Sequence, residues 1–207
     1  MLESEITAGG IVLCGGQSTR MGSPKALLPF GPETMLQRVV RLLGTVVSPL
    51  VVVAAPEQEL PELPAAVITT RDERPGRGPL EGLRAGLKAL PSGIEIAYVT
   101  SCDVPLLVPE FVHRMVDLLG DHDISVVEID GFAHPLSAVY RRRTLPHIED
   151  LLARDRLRPA FLFDTVRTRR VQREEVASVD PELSTLHNLN TPEDYLNALK
   201  AAGYQPR

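Results

Sequence analysis

The sequence predicts an α/β fold: a single domain over residues 1–207, with a Rossmann-like, mostly parallel sheet flanked by helices and an antiparallel excursion in the C-terminal half. Short β-branched runs alternate with longer segments of helical period, the signature of βαβ units. At 207 residues and 43% hydrophobic content the chain can bury one full core, and no repeat, low-complexity tract or linker divides it. The alternation breaks only once, at Asp130-Gly131, a hairpin turn signal between two apolar runs.

The first strand is read at residues 10–13, "GIVL", running into a glycine-rich loop. In "TMLQRVVRLLG", Met35, Val39, Leu42 and Leu43 share a helical face and Gly44 is the expected stop. Strands follow at 50–54 and 66–69, then "PLEGLRAGLKAL", whose Leu80, Leu83, Leu87 and Leu90 form one stripe. A strand at 96–100, a helix in "VPEFVHRMVDLL" and a strand at 124–128 lead to the hairpin. "RRRTLPHIEDLLA" reads as a helix. So does "NTPEDYLNALKAA", with Thr191 as N-cap, Pro192 at the first helical position, and Glu193 and Asp194 at the positive dipole end.

A net charge of −5 gives no general attraction to nucleic acid or an anionic membrane, so any anionic ligand must be met locally. The most apolar stretch, "VVSPLVVVAA", is interrupted by Ser48-Pro49 and too short to span a bilayer. The acidic "MLESEITAGG" lacks a basic, leader-like start, and a cytoplasmic protein is expected. Cys14 and Cys102 have no zinc or disulfide-scaffold spacing. They end two strands that would be neighbours, and are read as small buried thiols.

"GIVLCGGQSTRMGSPKALLPFG" is the informative stretch. Its glycines do not have Walker A spacing, and G-x-G-x-x-G is absent. Pro24 disfavours helix at Ser23, so an irregular loop is expected up to Lys25. What remains is a strand, the bare amides of Gly15-Gly16, which can approach a polyphosphate closely, and two cations, Arg20 and Lys25, to neutralise it. A Gly-Gly turn with two solvated cations is the bland alternative.

The full string resembles the L-x-G-G-x-S-x-R-M-G-x-x-K signature of nucleotidyltransferases in the glycosyltransferase-A-like superfamily, and specifically the molybdenum cofactor guanylyltransferases. "GPLEGL" at 78–83, "CDVP" at 102–105, "HP" at 134–135 and "NLNTPED" at 188–194 follow in the order that the family has. The resemblance implies transfer of GMP from GTP to molybdenum-molybdopterin with release of pyrophosphate, with Mg2+ as cofactor and molybdoenzyme maturation proteins as further partners. It implies that Leu13, Cys14, Gly15 and Gly16 line the nucleotide, and that Lys25 and Arg20 face phosphates. Such a reaction brings anion to anion, so alignment and charge neutralisation matter more than a protein nucleophile.

Asp103 follows the apolar run "IAYVTSC" and so stands at a strand's carboxyl end, where open α/β sheets bind ligands. It is read as the magnesium ligand, with a turn aspartate as the alternative. Asp72 is either a nucleotide contact or the ion-pair partner of Arg71. By resemblance, His134, Arg158, Asn188 and Asn190 belong to the pterin side. The asparagines could instead cap the last helix, and Arg158 could be a surface residue. His113, His122 and His147 are read as surface or packing residues. Ala54-Ala55 stands where a polar base-contacting residue would align, leaving guanine selection to backbone groups or elsewhere.

Three alternatives remain open: a cytidylyltransferase for the same cofactor, a sugar-phosphate nucleotidyltransferase, or a non-catalytic nucleotide-binding adaptor. The Gly15-Gly16 loop favours GTP over CTP, whose users carry a glycine-poorer loop. The presence of Lys25 and Asp103 argues against the adaptor.

Overall fold

The computed structural model describes residues 7–15, 24–74 and 76–205. Seven strands form one sheet in the order β5-β4-β1-β6-β8-β7-β9. They are β1 (Ala8–Leu13), β4 (Leu50–Ala54), β5 (Ile68–Arg71), β6 (Ile96–Ser101), β7 (Ile124–Ile129), β8 (Phe132–Arg141) and β9 (Thr168–Val171). The first four are mutually parallel, β8 runs antiparallel to both β6 and β7, and β9 is parallel to β7. The turn at Asp130-Gly131 has positive φ at both residues, 51° and 79°, as a two-residue hairpin of matching twist requires.

The strand predicted at 66–69 lies two residues later, at Ile68–Arg71. Its side chains alternate between half-buried and exposed as an edge strand's do, which weakens the apolar signal. Strand β9 went unpredicted because "TRRV" offers one buried side chain, Val171, among cations.

Helices cover both faces of the sheet. On one side, α1 (Met35–Leu43), α3 (Pro109–Asp117) and the short α6 (Arg173–Val176) bury Leu36, Val39, Phe111, Met115 and Val176. On the other, α2 (Pro79–Ala89), α4 (Leu145–Ala153) and α5 (Ala160–Phe163) bury Leu80, Leu83, Leu87, Ile148 and Leu162. Leu42, expected on the buried face of α1, is only partly covered, and Leu36 and Val40 are buried instead. Thr34 caps α1 reciprocally with Gln37, a capping box. Among the described residues no helix is long and apolar enough to cross a membrane.

Gly10 lets α1 lie close to β1: a Cβ there would stand 2.6 Å from Leu50 Cδ2 and 2.7 Å from Leu43 Cδ2. Gly10→Val is therefore expected to cost about 2–3 kcal/mol by overpacking, a fall of roughly 5–10 °C in Tm, measurable by a thermal melt.

A third, smaller core ties the C-terminus to the start of the chain. The hairpin β2 (Pro29–Phe30) and β3 (Glu33–Thr34) places Phe30 against the last helix, α7 (Pro192–Ala201), in a cluster with Met35, Leu189, Ala198 and Leu199. Phe30 meets the rings of Tyr195 and Tyr204 edge-on at 6.4 and 5.8 Å. Gly31 turns this hairpin at φ 70°, where a Cβ would also strike the Tyr204 ring. By this packing, residues 188–190 are brought to the segment that begins at Lys25.

Candidate active site

The carboxyl ends of β1, β4 and β6 surround a cavity of about 610 Å³ whose lining includes Leu13, Cys14, Gly15, Lys25, Asp72, Asp103, Leu136 and Asn188. A groove of about 750 Å³ lies elsewhere, beside α1 and the amino end of β4, and holds none of the candidate residues.

Asp103 stands two residues beyond β6 and is 9% exposed. Its Oδ2 accepts from Lys25 Nζ at 2.7 Å, and its Oδ1 accepts from Ser101 Oγ at 2.5 Å and from Asn188 Nδ2 at 3.1 Å. Its carbonyl takes the Leu189 amide at 2.9 Å, fixing the Asn188–Asn190 segment alongside. Lys25 also donates to Asn190 Oδ1 at 3.0 Å. Pro24 is extended and starts a short 3-10 turn, Lys25–Leu27, that points the lysine into this cluster.

Lys25, the Ser101–Asp103 segment and the Asn188–Asn190 segment, far apart in sequence, thus share one network, and the asparagine side chains do not cap α7, although the Asn190 amide donates to Asp194 Oδ2 at 3.0 Å. The cap of α7 belongs to Thr191, whose Oγ1 accepts from the Asp194 amide at 3.1 Å while Asp194 Oδ2 accepts from Thr191 N at 2.8 Å. The side chains of Asn188 and Asn190 turn to Asp103 and Lys25.

Asp72, which follows β5, faces Gly15 across the carboxyl end of β4: a Cβ on Gly15 would stand 3.1 Å from Asp72 Oδ2. Asp72 does not take Arg71 as its partner, because Arg71 Nη1 donates to the carbonyls of Ala55 (2.6 Å) and Gln58 (3.1 Å). Asp72 Oδ1 is buried with no hydrogen-bond partner among the described residues. Burial, and then the neighbouring charge of Glu81, raise its pKa, with Arg84 opposing. An unpaired buried acceptor in a cleft wall is satisfied by a ligand that brings an O–H or N–H.

Cys14 and Cys102 are free, buried and on the same side of the sheet, as the strand ends suggested. The Cys102 thiol beside it, then burial, push the Cys14 thiol well above its ordinary value, which favours the protonated thiol.

His134 is half-buried on β8 and does not line the cavity; burial lowers its pKa and keeps it neutral at pH 7. It begins a bulge. Val126 pairs with Ala138 but Glu128 with Ala133, so residues 134–137 stand out of register, with Tyr140 Oη donating to the Pro135 carbonyl at 2.8 Å. That bulge delivers Leu136 to the cavity wall. Arg158 is exposed and follows Leu157, whose carbonyl lies 3.8 Å from where a Cβ on Gly78 would be, at the rim of the cavity. Gly16 and Arg20 lie outside the described residues. His113 pairs with Asp117 on the surface of α3, and His122 Nδ1 sits 3.2 Å from the Leu119 carbonyl, in the packing roles expected.

Sequence reasoning missed Ser101, Gln58 and the buried pair Glu81–Arg84, joined at 2.6 Å behind Asp72 and extended to Glu73 at 2.7 Å. Glu81 inside an apolar helical stripe was the one visible signal.

A family model described as a MobA-like NTP transferase domain matches residues 10–171. A "Probable molybdenum cofactor guanylyltransferase" of Mycobacterium avium (strain 104) is 39% identical over 197 residues, covering 93% of this chain and 95% of the relative. One bearing the same name in Mycobacterium tuberculosis (strain ATCC 25618 / H37Rv) is 37% identical over 163 residues, 77% of this chain and 80% of its own. Among solved structures, molybdopterin-guanine dinucleotide biosynthesis protein A of Archaeoglobus fulgidus has a TM-score of 0.78 at 19% identity, covering 94% of this chain and 98% of that one, a likeness of fold. The matched segment runs from β1 to the end of β9, the whole of the seven-stranded sheet, and the chain belongs to the MobA-like NTP transferases, a family of nucleotidyltransferase enzymes.

Proposed function

We propose that this protein transfers GMP from GTP to molybdenum-molybdopterin, forming the guanine dinucleotide cofactor and releasing pyrophosphate. The observation that carries the reading is the Lys25–Asp103–Asn188–Asn190 network at the carboxyl edge of the sheet, beside the unpaired acceptor of Asp72. A phosphate oxygen of molybdopterin attacks the α-phosphorus of GTP, and the bond to the pyrophosphate oxygen breaks. The backbone at Gly15 approaches the triphosphate closely, Asp72 accepts a hydrogen bond from the nucleoside, and Lys25 moves from Asp103 onto phosphate oxygens. Its single flexible ammonium can follow the charge that develops on the leaving group.

Among the described residues no group of three or more His, Cys, Asp or Glu is arranged to hold a metal. Asp103 alone, already bonded to Lys25, fits a magnesium ion that arrives with the nucleotide rather than a resident one, since magnesium takes one or two carboxylates with phosphate oxygens and water. Asp103 would hold it, and the ion would supply further charge neutralisation at the phosphates. Asn188 and Asn190 place the pterin substrate; the family resemblance assigns His134 and Arg158 to the same substrate, although neither lines the cavity. We place the reaction in the cytoplasm, with the product passing to molybdoenzyme maturation proteins.

The test is incubation with molybdenum-molybdopterin and each nucleoside triphosphate in turn, following pyrophosphate and dinucleotide. GTP-dependent product supports the reading. CTP-dependent product makes the enzyme a cytidylyltransferase, and nucleotide binding without turnover of this or a sugar-phosphate acceptor makes the chain an adaptor.

Asn190→Ala is expected to raise KM for molybdopterin about tenfold, with a smaller change for GTP. The helix cap is independent of this side chain, so the melt should stay near wild type. Equal loss for both substrates in steady-state kinetics would contradict the assignment.

A further inference from the structure

We infer that Gln58 is a positioning residue for triphosphate recognition, acting by fixing the peptide that joins Cys14 to Gly15. The inference rests on the chain's being a nucleotidyltransferase and not on which base it selects. Gln58 Oε1 accepts from the Ala55 amide at 3.1 Å, and Gln58 Nε2 donates to the Cys14 carbonyl at 3.1 Å. One side chain therefore clasps the carboxyl ends of β4 and β1. The Gln58 amide donates to the Ala55 carbonyl at 3.1 Å, and Arg71 Nη1 holds the carbonyls of both Ala55 and Gln58, so the clasp is itself anchored.

The direction of the clasp matters because a trans peptide points its C=O and N–H opposite ways. Cys14 donates its amide to Val53 of β4 at 2.8 Å and turns its carbonyl to Gln58, so both of its polar groups face the β4 side. The N–H of Gly15 is thereby aimed to the other side, toward β6, where Asp103 and Lys25 stand. A glycine holds no such orientation by itself. The same bonds occupy the amide and carbonyl of Ala55, which removes those backbone groups from the reading of the base.

The experiment measures the affinity of wild type, Gln58→Ala and Gln58→Glu for whichever nucleoside triphosphate the wild type binds most tightly, by calorimetry, together with KM and kcat. In Gln58→Glu the carboxylate keeps the shape and the acceptor for Ala55 but sets an oxygen against the Cys14 carbonyl. The expected result is about tenfold weaker triphosphate binding in Gln58→Ala, at least as great a loss in Gln58→Glu, and kcat and the KM of the second substrate within about twofold of wild type. Near-normal binding by Gln58→Glu would show that packing, not donation to Cys14, is what the residue supplies. Unchanged affinity in Gln58→Ala would overturn the role as well. Neither result touches the choice of GTP, which the comparison of nucleotides decides separately.

Discussion

Asp103→Asn should lower kcat by about 1,000-fold while leaving the protein folded. The substitution keeps the shape of the side chain but changes what it offers. Ser101 and Asn188 both donate to Oδ1, which fixes the oxygen of the new amide on that side. Its NH2 then faces Lys25 Nζ, a donor against a donor, and the ion pair at 2.7 Å is lost. The pair is largely buried, but Lys25 can turn to water in the cleft, so the cost in stability is about 2–3 kcal/mol, below the full loss of a buried pair and within what a domain of this size tolerates. The charge that would hold a nucleotide-borne magnesium ion is lost as well. Wild-type activity should vanish with EDTA and return with magnesium, and the variant should need far more metal or fail outright. Unchanged magnesium dependence in a folded Asp103→Asn enzyme would move the ion to Asp72.

The central strands and both large helical stripes were legible in the sequence because each buries a continuous apolar face: Val51, Val52 and Val53 in β4, and Leu80, Leu83 and Leu87 in α2. The Asp130-Gly131 hairpin and the cap of α7 were legible from local turn and cap chemistry, which needs no tertiary context. Strand β9 was not, since its pairing with β7 is made through backbone while two of its four side chains, Arg169 and Arg170, are cations paired to Glu175 and Glu128.

For the site, motif order pointed to Lys25, Asp103 and the asparagines, but nothing local said that they touch. Their meeting depends on the small core in which Phe30 packs against Tyr195 and Tyr204, a contact spanning most of the chain. Gln58 carried no signal at all, because a glutamine in "APEQEL" looks like any solvated loop residue until its two bonds to Ala55 and Cys14 are seen.

Lys25→Ala is expected to reduce kcat by about 100- to 1,000-fold, with a melting temperature within a few degrees of wild type. The stability argument is geometric: Asp103 Oδ1 keeps its bonds from Ser101 and Asn188, Oδ2 loses Lys25 but faces the cleft, where water can replace it, and the 3-10 turn that begins at position 25 is capped by backbone groups. The catalytic argument is that Asp103 Oδ2 and Asn190 Oδ1 converge on a single Nζ at 2.7 and 3.0 Å, holding the ammonium at the cleft where a triphosphate must lie. On the proposed function, an incoming phosphate would compete for that ammonium and would leave Asp103 open to a metal ion, so one substitution would remove a phosphate contact and that exchange together. Lys25→Arg should recover little, because a planar guanidinium cannot reproduce two bonds to Asp103 and Asn190 converging on one nitrogen while following phosphate charge. Pre-steady-state measurement of pyrophosphate release separates this loss of chemistry from weaker binding. A purified Lys25→Ala enzyme that turned over at the wild-type rate would remove this lysine from the reaction.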